Sequence, residues 1–391
     1  MICHSLEELG FSCGLISTAT IKIGERIWLN DLKMTMPGRL KLQRYLRQMV
    51  KAGSKYAVVE TSSEGIAQWR HLGINYDAAI FTNLTPEHLE THGSWENYVE
   101  AKLKLWASLG RSRKKTTKHS GSIPKVSVIN GDDPSCLKFL KFRAEQSYLY
   151  TIKIKNQIPG WQLVKATIVS SSSREIKFEV SGIPFVLKLG GIFNVYNALA
   201  ATTYLLSQGF TLAEAARALK TFPGVPGRLE FIETGQPFKV VVDYAHTPES
   251  LEAVYQTLTI NQVKNKLIAV LGSCGGGRDK DKRSKLGALA GQYADYVIVT
   301  NEDPYDEDPQ TIIETVAQGV VGVGKEMGKN LWKVLDRRQA ITQALGLAKP
   351  DDTVVITGKG SEQWLVTRQE KVSWDDRQVV KEEIKKLLAI K

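Results

Sequence analysis

Four cysteines in 391 residues, Cys3, Cys13, Cys136 and Cys274, form no Cys-x-x-Cys pair, which excludes a zinc knuckle and leaves no disulfide framework. A reducing, cytoplasmic compartment fits that usage. No apolar run approaches the roughly 18 residues of a membrane helix, and residues 1–10 are too polar for a secretory leader, so membrane insertion and export are not expected. Internal repeats and low-complexity tracts are absent. The densest basic run, RSRKKTTK at 111–118, has no interleaved aromatics. Surfaces that track nucleic-acid phosphates combine charge with stacking rings, so this run reads as a solvated loop and no nucleic-acid partner is expected.

What is present describes a globular chain with an excess of positive charge. Hydrophobic residues make up 42% and charged residues 24%, and 391 residues exceed one ordinary core, so two domains are expected. A net charge of +11 suits small anionic substrates or a nucleic acid, the latter set aside on the basic run above. From residue 1 to about 150 the pattern alternates helix and strand. Ile2, Leu6 and Leu9 predict a short helix stopped at Gly10, residues 13–17 a strand, Tyr56–Val59 and Ala78–Phe81 two more, and residues 126–129 another. Residues 95–109 have helical spacing with Ser94 as N-cap. Short alternating strands with serine-rich turns follow from about 148 to 189, then a helix at 194–206. The segment FPGVPGR at 222–228 breaks any element and marks the domain boundary, giving domains of 1–222 and 223–391. A second alternating unit opens with the strand Lys239–Val242 and runs to a terminal helix at 378–390.

Chemistry-bearing residues gather at the predicted element ends. Glu60 ends one strand, His88 follows another in a polar loop, and Lys102 rides on the helix that begins near Trp95. In parallel sheets such ends line the ligand crevice. A carboxylate and an imidazole are ordinary ligands for a divalent ion that also touches phosphate, and a nearby lysine balances phosphate charge. Three further loops follow strands in the second unit: DYAHTP at 243–248, GSCGGGRDKDK at 272–282 and GKGSE at 358–362. The three consecutive glycines allow close backbone approach, and Arg278 offers a planar fork for a carboxylate. Taken singly, each residue has a structural rival. Asn194 and Asn197 suit a helix cap, Asp243 a strand-end turn and Arg228 a linker charge. Thr35 and Ser62 suit ordinary turn hydroxyls, and Gln68 with Arg70 a loop surface.

Taken in order, nine segments resemble the Mur ligases: KMTMPG at 33–38, ETSSEG at 60–65, FTNLTPEHLETHG at 81–93, EAK at 100–102, GIFNVYNALAA at 191–201, PGRLE at 226–230, DYAHTPESLE at 243–252, the glycine loop, and GKGSE. Within that family the tripeptide-forming branch is the most similar. The resemblance implies an α/β architecture: a central parallel-sheet ATPase-type domain and a Rossmann-like carboxy-terminal domain that binds the amino acid. It implies an ATP-dependent amide ligase that adds the third amino acid to UDP-N-acetylmuramoyl-L-Ala-D-Glu, with ATP and Mg2+ as cofactors and a monomeric, cytoplasmic protein. Glu60, His88 and Lys102 then match the catalytic and metal residues, the lysine as a carbamate. Asn194, Asn197, Arg228, Asp243 and His246 match the ATP contacts. Thr35, Ser62, Gln68 and Arg70 match contacts to the UDP-sugar peptide. Arg278, the segment Glu302, Asp303, Pro304 and Tyr305, and Gly358 with Glu362 match contacts to the incoming amino acid.

Two departures qualify this picture. The family carries a phosphate loop of the type GTxGK[ST]T before the helix that here opens the chain, and an amino-terminal uridine-binding domain before that; neither is in this sequence. Without the loop's N–H cradle and lysine the polypeptide is expected to be a poor ligase, either truncated at its start or a noncatalytic remnant, with truncation favoured. Diaminopimelate-adding relatives carry DNPR, where this chain has Glu302, Asp303, Pro304 and Tyr305. Tyrosine cannot form the arginine's bidentate pair, and the acidic pair is expected to favour a cationic side chain such as lysine. A noncatalytic scaffold and a folylpolyglutamate synthetase-like ligase stand as alternatives; EHLETHG and DYAHTP argue for the muramyl branch.

Overall fold

The structure, a computed structural model, describes residues 1–85, 89–117, 121–154, 157–260 and 265–389. The chain divides into two compact units, Met1–Pro223 and Gly224–Lys391.

The first unit contains two principal sheets. One has four strands in the order Arg26–Leu29, Thr20–Ile23, Cys13–Ile16 and Tyr56–Val59. Only the last pair is parallel, with Ile16 beside Val59; the others form an antiparallel meander. This corrects the strict helix–strand alternation read for residues 1–150. The alternation of Thr20, Ile21, Lys22 and Ile23 and the turn at Gly24, whose φ is +57°, make a tight hairpin instead. The second sheet has six strands, ordered Ile183–Leu187, Ile176–Val180, Gln162–Ser171, Gln146–Thr151, Val126–Asn130 and Ala78–Phe81. Its first three strands are antiparallel and the remainder parallel. The helix Ile192–Ser207 packs on one face, burying Val195, Ala198, Leu199 and Leu205 with Tyr150, Phe178 and Phe185. A separate core forms where the helix Trp95–Arg111 meets Phe81 and Phe139, whose rings stack at 3.9 Å. The basic run is only partly loop: Thr116–Thr117 pairs with Gly121–Ser122, while Lys114 and Lys115 reach Glu145 and Asp77.

The second unit is built on six strands ordered Glu230–Phe231, Lys239–Val242, Thr353–Ile356, Leu267–Leu271, Tyr296–Thr300 and Leu331–Val334. All but the first run parallel. Leu267–Leu271 and Thr353–Ile356 are buried at every residue, as continuous apolar strands covered on both faces must be. The chain leaves Lys239–Val242, enters Leu267–Leu271 two places away, and returns to fill the gap with Thr353–Ile356. That reversal opens a crevice at the carboxyl ends of these strands. Two helices, Lys282–Tyr293 and Pro309–Val321, cross at Gly287 and Gly319, where an added Cβ would strike the facing backbone. The terminal helix Asp376–Ala389 is anchored by a buried ion pair, with Arg337 NH2 2.7 Å from Asp376 Oδ2.

Candidate active site

In the first unit, Glu60 lies just past the strand Tyr56–Val59 and its carboxylate is held on both oxygens by one residue. The Thr18 backbone N–H donates to Oε2 at 2.7 Å and the Thr18 hydroxyl to Oε1 at 2.9 Å. The same hydroxyl stands 2.8 Å from that of Thr35. Thr18 follows the neighbouring parallel strand by two residues, so two adjacent strand ends meet here. Sequence reading passed over Thr18; its signal was its place just past a strand end. Ser62 caps the helix Ser63–Ala67, its hydroxyl accepting from the Gly65 N–H at 3.1 Å. A Cβ on Gly65 would lie 2.6 Å from Met36 Sδ, so the Met36 side chain, next to Thr35 in the chain, packs closely on this helix. Arg70 donates to the Met36 carbonyl at 2.5 Å and to the Gln68 side-chain oxygen. Thr35 is thus joined to Glu60 through Thr18, while Arg70 is joined to Gln68 and to the Met36 carbonyl, one residue along the chain from Thr35.

The Ser63–Ala67 helix packs on the Trp95–Arg111 helix that carries Lys102. The Lys102 ammonium lies 5.2 Å from the Tyr98 ring centroid. His92 bridges the two, with Nε2 3.1 Å from the Ser63 hydroxyl and its ring against Tyr98. His88 lies outside the described residues. Among the described residues no group of three or more His, Cys, Asp or Glu is arranged so that it could hold a metal ion. The donor chemistry at Glu60 is nonetheless that of a hard-ion ligand, since each carboxylate oxygen keeps a lone pair beyond the one Thr18 uses.

Asn194 and Asn197 sit in the first turns of the Ile192–Ser207 helix. Asn194 donates to the Gly190 carbonyl at 2.7 Å, and Asn197 donates to the Asn194 side-chain oxygen at 3.2 Å. The capping role read as their rival is not filled by Asn194: the N-cap is Gly191 and it makes no side-chain cap bond. Between them Tyr196 donates to Asp132 at 3.0 Å.

In the second unit, Asp243 closes the strand Lys239–Val242 and accepts from the Leu229 and Ala245 N–H groups at 2.5 and 2.6 Å. Burial pushes its carboxyl above the ordinary range, opposed by the Arg228 guanidinium. Arg228 stacks on the Tyr244 ring at 4.0 Å, and His246 Nδ1 is 2.9 Å from the Tyr244 carbonyl. Gly227, at φ +65°, lets this loop run against the backbone of Gly360 and Ser361, where any Cβ would collide. Lys359, fully buried, bridges two carboxylates: Nζ is 3.0 Å from Asp303 Oδ1 and 2.8 Å from Glu362 Oε2. Burial alone would lower its ammonium, yet Glu362 and Asp303 outweigh it and hold the group above its ordinary value. Asp303 also accepts from the Val366 N–H at 2.8 Å. Of the acidic pair expected to favour a cationic substrate, Asp303 is bonded to Lys359, and Glu302 has one carboxylate oxygen without a hydrogen-bond partner.

Tyr305 takes a left-handed backbone, φ +53°, and its ring covers Gly276, where a Cβ would lie 2.9 Å from it. Burial, then Asp303, pushes its hydroxyl up to about 12. Pro304 seats its carbonyl against Gly275, whose N–H donates to the Asp303 carbonyl at 2.8 Å. Arg278 is exposed, close enough to Tyr305 for its charge to act on that hydroxyl. Lys359 and Cys274 were the contributors that sequence reading left unassigned, although both lie inside quoted motifs.

Residues 1–205 match the model of the Mur ligase middle domain, and residues 227–360 that of the Mur ligase glutamate ligase domain. A UDP-N-acetylmuramyl-tripeptide synthetase of Roseiflexus sp. (strain RS-1) is 38% identical over 378 residues, 95% of this chain and 73% of that protein. A UDP-N-acetylmuramoyl-L-alanyl-D-glutamate–2,6-diaminopimelate ligase of Geobacillus thermodenitrificans (strain NG80-2) is 36% identical over 387 residues, covering 98% and 76%. Among solved structures, one of a ligase of that same description is 29% identical with a TM-score of 0.61, covering 99% of this chain and 75% of that one. A MurF ligase from Thermotoga maritima in complex with ADP, 17% identical, reaches 0.64 over 100% and 77%, a likeness of fold alone.

Proposed function

Starting from the fact that this chain belongs to the Mur ligase family, we propose that it is an ATP-dependent, ADP-forming amide ligase acting on UDP-N-acetylmuramoyl-L-Ala-D-Glu. The peptide carboxylate takes the γ-phosphoryl group, and the amine of a free amino acid then attacks the acyl phosphate. Such transfers need positioning and charge neutralisation more than covalent help from the protein. The observation that carries the reading is the Thr18 cluster, in which a candidate metal residue, Glu60, and a candidate substrate residue, Thr35, share hydrogen bonds with Thr18.

Arg70 orients the peptide, its guanidinium held by Met36 and Gln68. Glu60, with His88 and a carbamylated Lys102, would hold Mg2+, which supplies neutralisation of phosphate charge when bound. Arg228, Asp243 and His246 in the second unit and Asn194 and Asn197 in the first are the nucleotide contacts of this reading. Lys359 positions Glu362 beside the amino acid.

The test is to incubate the protein with ATP, Mg2+, the UDP-linked dipeptide and a panel of radiolabelled amino acids, and to follow ADP and tripeptide together. Slow tripeptide formation is expected, since the sequence carries no GK[ST] phosphate loop. Product with a folate acceptor instead would transfer the chain to the folylpolyglutamate branch, and ATP binding without product from either acceptor would leave a noncatalytic protein.

A further inference from the structure

We propose that the outward face of the helix Arg39–Lys51 is a docking surface for an anionic phospholipid bilayer, on which the protein lies without spanning it. Among the described residues no helix is long and apolar enough to cross a membrane.

The helix follows Pro37 and Gly38 and turns Leu42 and Met49 inward, where they are buried with Ile16 and Met36. Its other side faces solvent. At about 100° per residue, Arg44, Arg47 and Lys51 fall within about 40° of Leu40 on that side, with Arg39 and Lys41 at its flanks. All five cations are exposed, and none takes part in an ion pair among the described residues. Residues 32–59 contain no aspartate or glutamate that could pair them. Lys41 extends over the Tyr45 ring at 5.8 Å. Arg26 widens the face from the strand Arg26–Leu29, its guanidinium 5.6 Å from the Trp28 ring, which meets Tyr45 edge-on.

Folding does not account for this arrangement. Arg44 and Arg47 stand three residues apart, and Arg47 and Lys51 four, like-charge spacings that weaken a helix. Arg39 and Lys41 occupy the first turn, where the helix dipole disfavours cations and no acidic residue offsets them. A polyanionic surface relieves both costs. Two aliphatic side chains among the cations indicate which polyanion: Leu40 is 86% exposed and Val50 74%. A bilayer interface takes up such side chains. Nucleic acid instead calls for free stacking rings, and Trp28 and Tyr45 are half-buried against each other. Unpaired cations with apolar anchors on one face match an anionic leaflet.

The experiment sediments the full chain with vesicles. Vesicles of equal phosphatidylglycerol and phosphatidylcholine should carry it down, and phosphatidylcholine alone should not. Binding should weaken at least about tenfold as NaCl rises from ~0.05 to ~0.5 M, because screening shortens. R44E/R47E should weaken it at least about tenfold, and R111E/R113E, the same charge change in the other basic run, by less than about twofold. L40S/V50S should weaken it several-fold. No binding to anionic vesicles, equal binding to both vesicles, equal losses from the two charge reversals, or no effect of L40S/V50S would each overturn the proposal. So would a single-stranded oligonucleotide that displaces the vesicles and is held equally by L40S/V50S, which would assign the face to nucleic acid. Should R44E/R47E fail to fold, the two vesicle compositions and L40S/V50S decide.

Discussion

Cys274 shows how one side chain reports its surroundings. Burial, then the charges of Glu302 and Asp303, raises its thiol well above the ordinary value. The thiolate is the reactive form, so iodoacetamide at neutral pH should label Cys274 far more slowly than it labels the unfolded chain, and faster in E302Q. Equal rates in folded and unfolded protein would contradict the environment described. Lys359 makes the energetic counterpart. Its removal in K359M leaves Asp303 and Glu362 without their shared cation, and the loss is expected to be about 3–5 kcal/mol by denaturant unfolding. Asp375 sets a pH dependence. Burial raises its carboxyl, but bonds from Arg377 and Gln363 outweigh burial and hold it below its ordinary 3.8. A depressed folded value stabilises fully above the unfolded one, and that stability drains away as pH falls through the folded value. Stability measured below pH 3.8 should therefore fall less steeply in D375N than in the parent protein.

At the scale of elements, periodicity was informative where one face was apolar. The strands Tyr56–Val59, Ala78–Phe81 and Lys239–Val242 stand where their apolar runs predict, and the capped helix after Ser94 begins at Trp95. The Thr20–Ile23 and Arg26–Leu29 hairpin escaped because four-residue strands with charged outward positions resemble polar loop, and only the positive φ at Gly24 betrays the turn. Helix crossing was likewise invisible in one dimension. Glycine is a poor helix former, yet Gly287 and Gly319 each admit the other helix's backbone. G287V should cost several kcal/mol through that clash, beyond its helix propensity, as judged by its thermal midpoint. A change under about 1 kcal/mol would mean the helices separate freely.

For the whole molecule, two units with separate cores should respond separately to damage. Phe139→Ala removes a ring stacked on Phe81 and edge-on to Trp106 and should lower the first unit's calorimetric transition, at about 3–5 kcal/mol. G287V should lower the second unit's transition and leave the first in place. One transition lowered equally by both variants would refute independent units. The sequence by itself determined the family and the elements with a clear apolar period, because periodicity and motif order are properties of a line. Only the tertiary structure decided that Thr18 holds Glu60, that Lys359 commits Asp303, and that Glu302 is left with an unpaired oxygen. Those outcomes depend on which strand ends become neighbours, and hydrogen bonds act over about 3 Å of space whatever the distance along the chain.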